Sequence, residues 1–217
     1  MIVTRLNKRD GGVLRETIPL VIEGRQKNVY FHNDPTVDLA VIPHGWPKND
    51  IIDGMFLPEN LISDKASLKN LHIKEGTEVF FTGLFTPHIG ASRNYPIFRF
   101  GHLALVTEEK VGWVGGMAEL YLMETAAYGG NSGSPVFFFL DLDRPVPHDG
   151  PFRLAGVMSG AFQEVRGAET AELVEAAKQT RAMGLATNIG IAAIVPSYKL
   201  LEILHGKELE ERRGQAQ

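Results

Sequence analysis

The sequence predicts an all-β protein, a barrel or a sandwich, and three observations carry that reading. Glycine and proline are plentiful, at 23 and 12 of 217 residues, and they break the chain into short segments. Between them lie short β-branched and aromatic runs rather than long stretches of helical period. The length suffices for one large β domain or two small ones around a buried core.

Taken in order, Ile2-Val3-Thr4-Arg5-Leu6-Asn7 is strand-like from the outset, Gly11-Gly12 turns the chain, and Thr17 to Ile22 is extended. Glu23-Gly24-Arg25 turns again, Asn28 to Phe31 resumes a strand, and Asn33-Asp34-Pro35 precedes the run Val37-Asp38-Leu39-Ala40-Val41-Ile42. From His44 to Gly76 the pattern loosens into a long connection with Trp46-Pro47 and Leu57-Pro58, and a helical turn is expected over Asp64 to Leu71. A second set of strands follows at Thr77 to Gly83, Tyr95 to Val106, Ala118 to Met123, Val136 to Leu140 and Leu154 to Ser159. The residues of Ala118 to Met123 favour helix, but Leu120 and Leu122 alternate as in a strand and the neighbours are strands.

Two helices are expected. Ala168 to Met183 carries Ala171, Val174, Ala177 and Met183 at roughly helical spacing before Gly184. Pro196 to His205 opens on a proline suited to a helix start and sets Leu200, Ile203 and Leu204 on one stripe. The charged residues from Lys207 to Gln217 are expected to fray. The organisation is therefore a first β unit with its connection over 1–75, a second β unit with two helices over 76–205, and a charged tail over 206–217.

Composition narrows the function. The net charge of −4 comes without a basic run of the kind that neutralises phosphates, which disfavours nucleic acid as the main partner. The absence of cysteine removes disulfides and thiolate metal sites, and a reducing, cytoplasmic setting suits such a chain. No apolar stretch is long enough to span a bilayer and no signal pattern opens the chain, so no membrane role is read. The histidines lack paired ligand spacing, so neither a metal nor any other cofactor is expected.

The residues that carry chemistry are Tyr128-Gly129-Gly130-Asn131-Ser132-Gly133-Ser134-Pro135, running into Val136 to Phe139. A serine hydroxyl is a weak nucleophile that needs a base beside it and positive dipoles where an oxyanion will form. Glycines at 129, 130 and 133 allow consecutive amides to point into one space, and the amides of Gly130 and Ser132 are read as that oxyanion hole. The competing reading is a Gly/Ser turn between two strands. A Gly-x-Ser-x-Gly elbow fails, because position 134 is serine and a strand follows instead of a helix.

Gly130-Asn131-Ser132-Gly133-Ser134-Pro135 resembles the nucleophile loop of trypsin-like serine peptidases, whose usual form is Gly-Asp/Asn-Ser-Gly-Gly/Ser-Pro. Asp38-Leu39-Ala40-Val41-Ile42 is similar to the family's catalytic aspartate segment. Leu154 to Gly160 is similar to the strand that borders the substrate, and Ile194-Val195-Pro196 to the last strand before the C-terminal helix. The resemblance spans most of Val37 to Leu204. It implies two packed six-stranded Greek-key β-barrels of the chymotrypsin type, an endopeptidase acting on peptide or protein substrates, and catalytic groups in the cleft between the barrels. Ser132 and Asp38 would be catalytic.

Asp38 lies in an apolar run, so partial burial is expected, and burial of a carboxylate requires a hydrogen-bond donor. The resemblance supplies an imidazole, steadied by the aspartate; the alternative is an aspartate capping the Asn33-Asp34-Pro35 turn. The family order is histidine, aspartate, serine. Only His32 precedes Asp38. It lies six positions upstream, roughly 20 Å away in a continuous strand, and lacks the family's flanking residues. His44, His72, His88, His102, His148 and His205 all follow, and none has the required setting.

Two explanations stay open: a chain that starts inside the first barrel without its leading strand pair and histidine, or a descendant of a peptidase that no longer uses one. The first is preferred because Ser132, Asp38 and the glycines are all kept. In either case the 217 residues are expected to be nearly inactive. An incomplete barrel would also leave strand edges open to another chain.

The resemblance places the base of the primary specificity pocket at Ala126, six residues before Ser132, with Ser159, Gly160 and Ala161 along its wall. No carboxylate stands there, so a small or apolar residue is expected in preference to Lys or Arg. A non-catalytic peptide-binding module and an ester hydrolase remain alternatives. A Gly-loop phosphate binder is disfavoured, since no lysine follows the glycines and no helix opens there.

Overall fold

The computed structural model describes residues 1–45, 51–85, 88–113, 116–126, 130–140, 150–165 and 186–215. Ile2–Asn7 (β1) and Val13–Ile18 (β2) pair antiparallel, from Ile2 opposite Ile18 to Asn7 opposite Val13. Gly11 and Gly12 make the turn with φ of 94° and 79°, values that only glycine adopts freely. Tyr30–Phe31 (β3) and Ala40–Val41 (β4) form a second, very short ladder. Where an incomplete barrel is expected over 1–75, the described residues hold these two separate two-stranded ladders. The runs Thr17 to Ile22 and Val37 to Ile42 keep only part of their predicted length as strand, because extended backbone becomes a strand only where a partner accepts its hydrogen bonds.

The connection carries a 3₁₀ turn at Glu59–Leu61 and the helix α1, Lys65–Asn70. The Asp64 side chain accepts from the Ser67 amide, and the Ser67 hydroxyl oxygen accepts in turn from the Asp64 amide, a reciprocal cap that satisfies donors at the helix start.

Six strands then close a barrel: Glu78–Leu84 (β5), Pro96–Leu105 (β6), Tyr121–Glu124 (β9), Pro135–Phe139 (β10), Phe152–Val165 (β11) and Ala186–Pro196 (β12). All pairings are antiparallel, and the order is β10-β11-β12-β9-β6-β5, with β10 closing on β5. Period-two alternation builds the core. Val79 and Phe81 of β5, Val136 and Phe138 of β10, and Ala192 and Ile194 of β12 point inward with Leu103, Tyr121, Met123, Ala155 and Met158. Between β6 and β9 a hairpin of Val111–Trp113 (β7) and Gly116–Ala118 (β8) pairs only with itself. The segment expected as one strand over Ala118 to Met123 is thus divided between β8 and β9.

Ser197–Leu204 forms the helix α2, which packs against β4 and β11. The Ser197 hydroxyl is buried and donates to the Ser63 carbonyl at 2.6 Å. Lys199 is 7 % exposed and sits 3.2 Å from Glu119 and 3.5 Å from Glu202. The Tyr198 hydroxyl donates to Glu119 at 2.8 Å. Burial alone would raise the Glu119 carboxyl, but the Tyr198 and Lys199 hydrogen bonds outweigh it and hold the group below its usual range.

The tail is ordered where fraying is expected. Lys207–Gln215 is the helix α3, anchored by Leu209, which is buried with Tyr30 and Ile203, and by Arg212 donating to the Lys27 carbonyl at 3.0 Å. The helix expected over Ala168 to Met183 lies outside the described residues, and among the described residues no helix is long and apolar enough to cross a membrane.

Phe138 is fully buried at the barrel centre. Replacing it with alanine removes a ring from a close-packed site, and Phe138→Ala is expected to cost about 3–5 kcal/mol, read from the midpoint of urea unfolding.

Candidate active site

The loop from Gly130 to Pro135 is stitched to β11. Gly133 donates its amide to the Met158 carbonyl at 2.7 Å, and Met158 donates to the Ser134 carbonyl at 2.9 Å. Gly130 and Gly133 have φ of 95° and 86°, the left-handed conformation that a Cβ disfavours. Ser134 and Asn131 are buried while Ser132 is exposed at the tip. Gly83 of β5 lies so close that an added Cβ would stand 2.7 Å from the Ser134 hydroxyl oxygen. Among the described residues the Gly130 and Ser132 amides donate to no protein acceptor, which leaves them free for a ligand oxygen.

Opposite the loop stands Ser159. In the β11–β12 ladder Met158 pairs with Ile194 and Gly160 with Ala193, so Ser159 is the extra residue of a β-bulge. A bulge leaves one residue out of the register and re-aims it. Its carbonyl accepts the Ser132 hydroxyl at 2.9 Å, and its own hydroxyl donates to Asp38 Oδ2 at 2.6 Å. Ser132 and Asp38, 94 residues apart in the chain, are therefore joined through a single residue.

Asp38 is exposed rather than partly buried. Val37 and Leu39 on either side pack onto Ala118, Leu120, Ala193 and Val195, so its neighbours take the apolar surface and the carboxylate is left in the cleft. The turn before it is held by Asp34, not by Asp38. Asp34 Oδ1 accepts from the Thr36 amide at 2.9 Å and the Thr36 hydroxyl at 2.7 Å, and Oδ2 meets Lys110 at 3.3 Å. These hydrogen bonds from Thr36, with the Lys110 contact, hold the Asp34 carboxyl well below the usual carboxylate range.

Asp38, Ser132, Gly133 and Ser159 line one cleft of about 910 Å³ with Phe31, Leu39, Trp113 and Leu200. Gly160 and Ala161 continue along β11 at intermediate exposure. Ala126 is exposed and does not line this cleft; its carbonyl accepts from Arg99 at 2.8 Å. The charge beside the expected pocket base is thus a guanidinium.

No described histidine lines the cleft. His32 Nδ1 accepts the Asp34 amide at 3.0 Å and Nε2 lies 2.6 Å from Glu202. Nδ1 acts as acceptor, which assigns the proton to Nε2 as a donor to Glu202. The imidazole thus ties the Asp34 turn to α2. His44 pairs with Glu16 at 3.0 Å and His205 with Glu59 at 2.9 Å, while His72, His88 and His102 are exposed elsewhere. His148 and the residues 127–129 lie outside the described residues. Among the described residues no cluster of three or more acidic or histidine side chains could hold a metal ion.

Trp113 is the participant that sequence reasoning missed. Its indole N–H donates to the Ser159 hydroxyl oxygen at 3.0 Å, and nothing in Val-Gly-Trp marks it. No family model, no curated protein and no solved structure matches this chain.

The Asp34 carboxylate gives a pH test of the turn that leads to Asp38. Its folded-state pKa is depressed, so its contribution to stability is present above the unfolded carboxylate range and is lost as pH falls through the folded value. Asp34→Asn is expected to lower Tm near neutral pH, and the gap from the parent protein is expected to narrow as pH drops below about 4.

Proposed function

We propose that this chain is a trypsin-like serine endopeptidase domain, with Ser132 the nucleophile, the Gly130 and Ser132 amides the oxyanion hole and Asp38 the orienting carboxylate. The observation that carries the reading is the convergence of Ser132 and Asp38 on Ser159 in one cleft. The barrel order supports it: β10 returns to lie beside β5, the Greek-key arrangement that the family resemblance implies for its second barrel. The general base is an imidazole that the described residues do not supply, and the family order places it ahead of Asp38.

In the reaction the imidazole takes the Ser132 proton as Oγ attacks the scissile carbonyl. The two amides stabilise the oxyanion, and the same imidazole then protonates the leaving amine. Asp38 fixes the imidazole tautomer. Without that base only the binding and oxyanion contributions remain. Specificity follows the position that the resemblance assigns to the pocket base: Ala126, which does not line the cleft around Ser132, offers no carboxylate, and Arg99 stands beside it, so basic side chains are disfavoured and small or apolar ones preferred. A cysteine-free chain suits a reducing compartment.

A second reading is a peptide-binding module without catalysis. It is favoured by the Ser132 hydroxyl donating to a carbonyl rather than to a base. Fluorophosphonate labelling, read by intact mass, separates the two. The test labels this chain alone and with free imidazole added at high concentration as the base. The peptidase reading predicts a Ser132 adduct that imidazole promotes and Ser132→Ala abolishes. If the protein is folded and does not label in either condition, the peptidase reading fails, and peptide binding that survives Ser132→Ala takes its place.

A further inference from the structure

We propose that Trp113 is a positioning residue of the cleft, its indole N–H fixing the Ser159 hydroxyl as a donor to Asp38. Its catalytic meaning rests on the serine-peptidase reading; the relay itself does not.

The donor count fixes the direction of each bond. An indole has one donor and no acceptor, and a serine hydroxyl has one proton and two lone pairs. Trp113 Nε1–H points at Ser159 Oγ at 3.0 Å, which occupies one lone pair. The single hydroxyl proton is then directed to Asp38 Oδ2 at 2.6 Å, a length typical of an O–H bonded to a carboxylate. Donation into Oγ polarises the hydroxyl and strengthens its own donation. With both bonds in place the Ser159 rotor has one orientation, and among the described residues Ser159 is the side-chain partner that defines where Asp38 sits across from Ser132.

The indole is itself held. Its ring packs against Phe162 with centroids 4.8 Å apart, and it covers Gly160 so closely that an added Cβ would lie 3.1 Å from Cζ2 and 3.4 Å from Cη2. Any side chain at 160 would press on the ring. Val111 and Trp113 also pack in the same apolar cluster as Val37 and Leu39, the two neighbours of Asp38. The self-paired β7–β8 hairpin therefore reaches Asp38 twice, through its flanking side chains and through the Ser159 relay.

A tryptophan that only fills space would not sense the charge on Asp38, whereas a relay would. The measurement is the Trp113 indole N–H resonance by NMR on the full chain, assigned by its disappearance in Trp113→Phe, since Trp46 is the other tryptophan. In Asp38→Asn a neutral acceptor pulls less on the Ser159 hydroxyl, and the resonance is expected to move upfield. In Ser159→Ala it is expected upfield as well, and adding Asp38→Asn to Ser159→Ala is expected to move it no further. A resonance that ignores Asp38→Asn overturns the relay. Movement of the same size in the Ser159→Ala background overturns it too. Failure of Ser132 to label would sink the peptidase reading and leave this coupling standing, whereas loss of the coupling would remove the positioning role whatever Ser132 does.

Discussion

The Ser159 hydroxyl meets the Asp38 carboxylate at 2.6 Å while the Ser159 carbonyl accepts the Ser132 hydroxyl at 2.9 Å. Both contacts exist because a bulge takes Ser159 out of the β11–β12 register. In a regular ladder successive side chains alternate faces and backbone carbonyls are consumed by the neighbouring strand. Releasing one residue at the cleft edge frees a carbonyl and a hydroxyl together. The rest of the cleft is built around that release: the glycine loop is tied to Met158 immediately before it, and Asp38 is brought to its hydroxyl from a segment outside the barrel.

An exposed carboxylate is not held by burial, so its position has to come from its surroundings. The turn at Asp34 and Thr36 sets the backbone before it. His32 fastens that turn to Glu202, Glu202 is shared with Lys199, and Lys199 reaches Glu119. This chain of polar contacts joins the N-terminal segment, α2 and the end of the β7–β8 hairpin region around the apolar contacts of Val37 and Leu39. Lys199 is nearly buried with two carboxylates beside it, and a buried charge is tolerated only when paired in this way. His32, which precedes Asp38 by six residues, is thus consumed by structure, and its ring is engaged at both nitrogens.

What could be read from the sequence was local. The loop Gly130 to Pro135 carries its geometry in its glycines and proline, and the strands of the barrel follow from apolar alternation, so Val79, Phe81, Val136 and Phe138 fall inward as their spacing indicates. Ser159 was placed beside the site by resemblance, but its bulge was not legible, since register depends on the partner strand. The same dependence explains why Val37 to Ile42 yields only two residues of β4. The short β7 was missed for want of an alternating pattern. The exposure of Asp38 is a tertiary outcome, decided by where Val37 and Leu39 find apolar partners. The docking of α3 turns on Leu209 and on polar ties such as Arg212 to the Lys27 carbonyl, too small a signal against a run of charges.

The site stands on the bond between Ser159 and Asp38, and a double-mutant cycle tests that bond most directly. Ser159→Ala, Asp38→Ala and the pair together would be compared by urea unfolding. If the two side chains act through one hydrogen bond, the double variant is destabilised by less than the sum of the singles, because the second substitution removes nothing the first has not already broken. Additive losses would contradict the tie and with it the view that Ser159 joins Ser132 and Asp38 into one site.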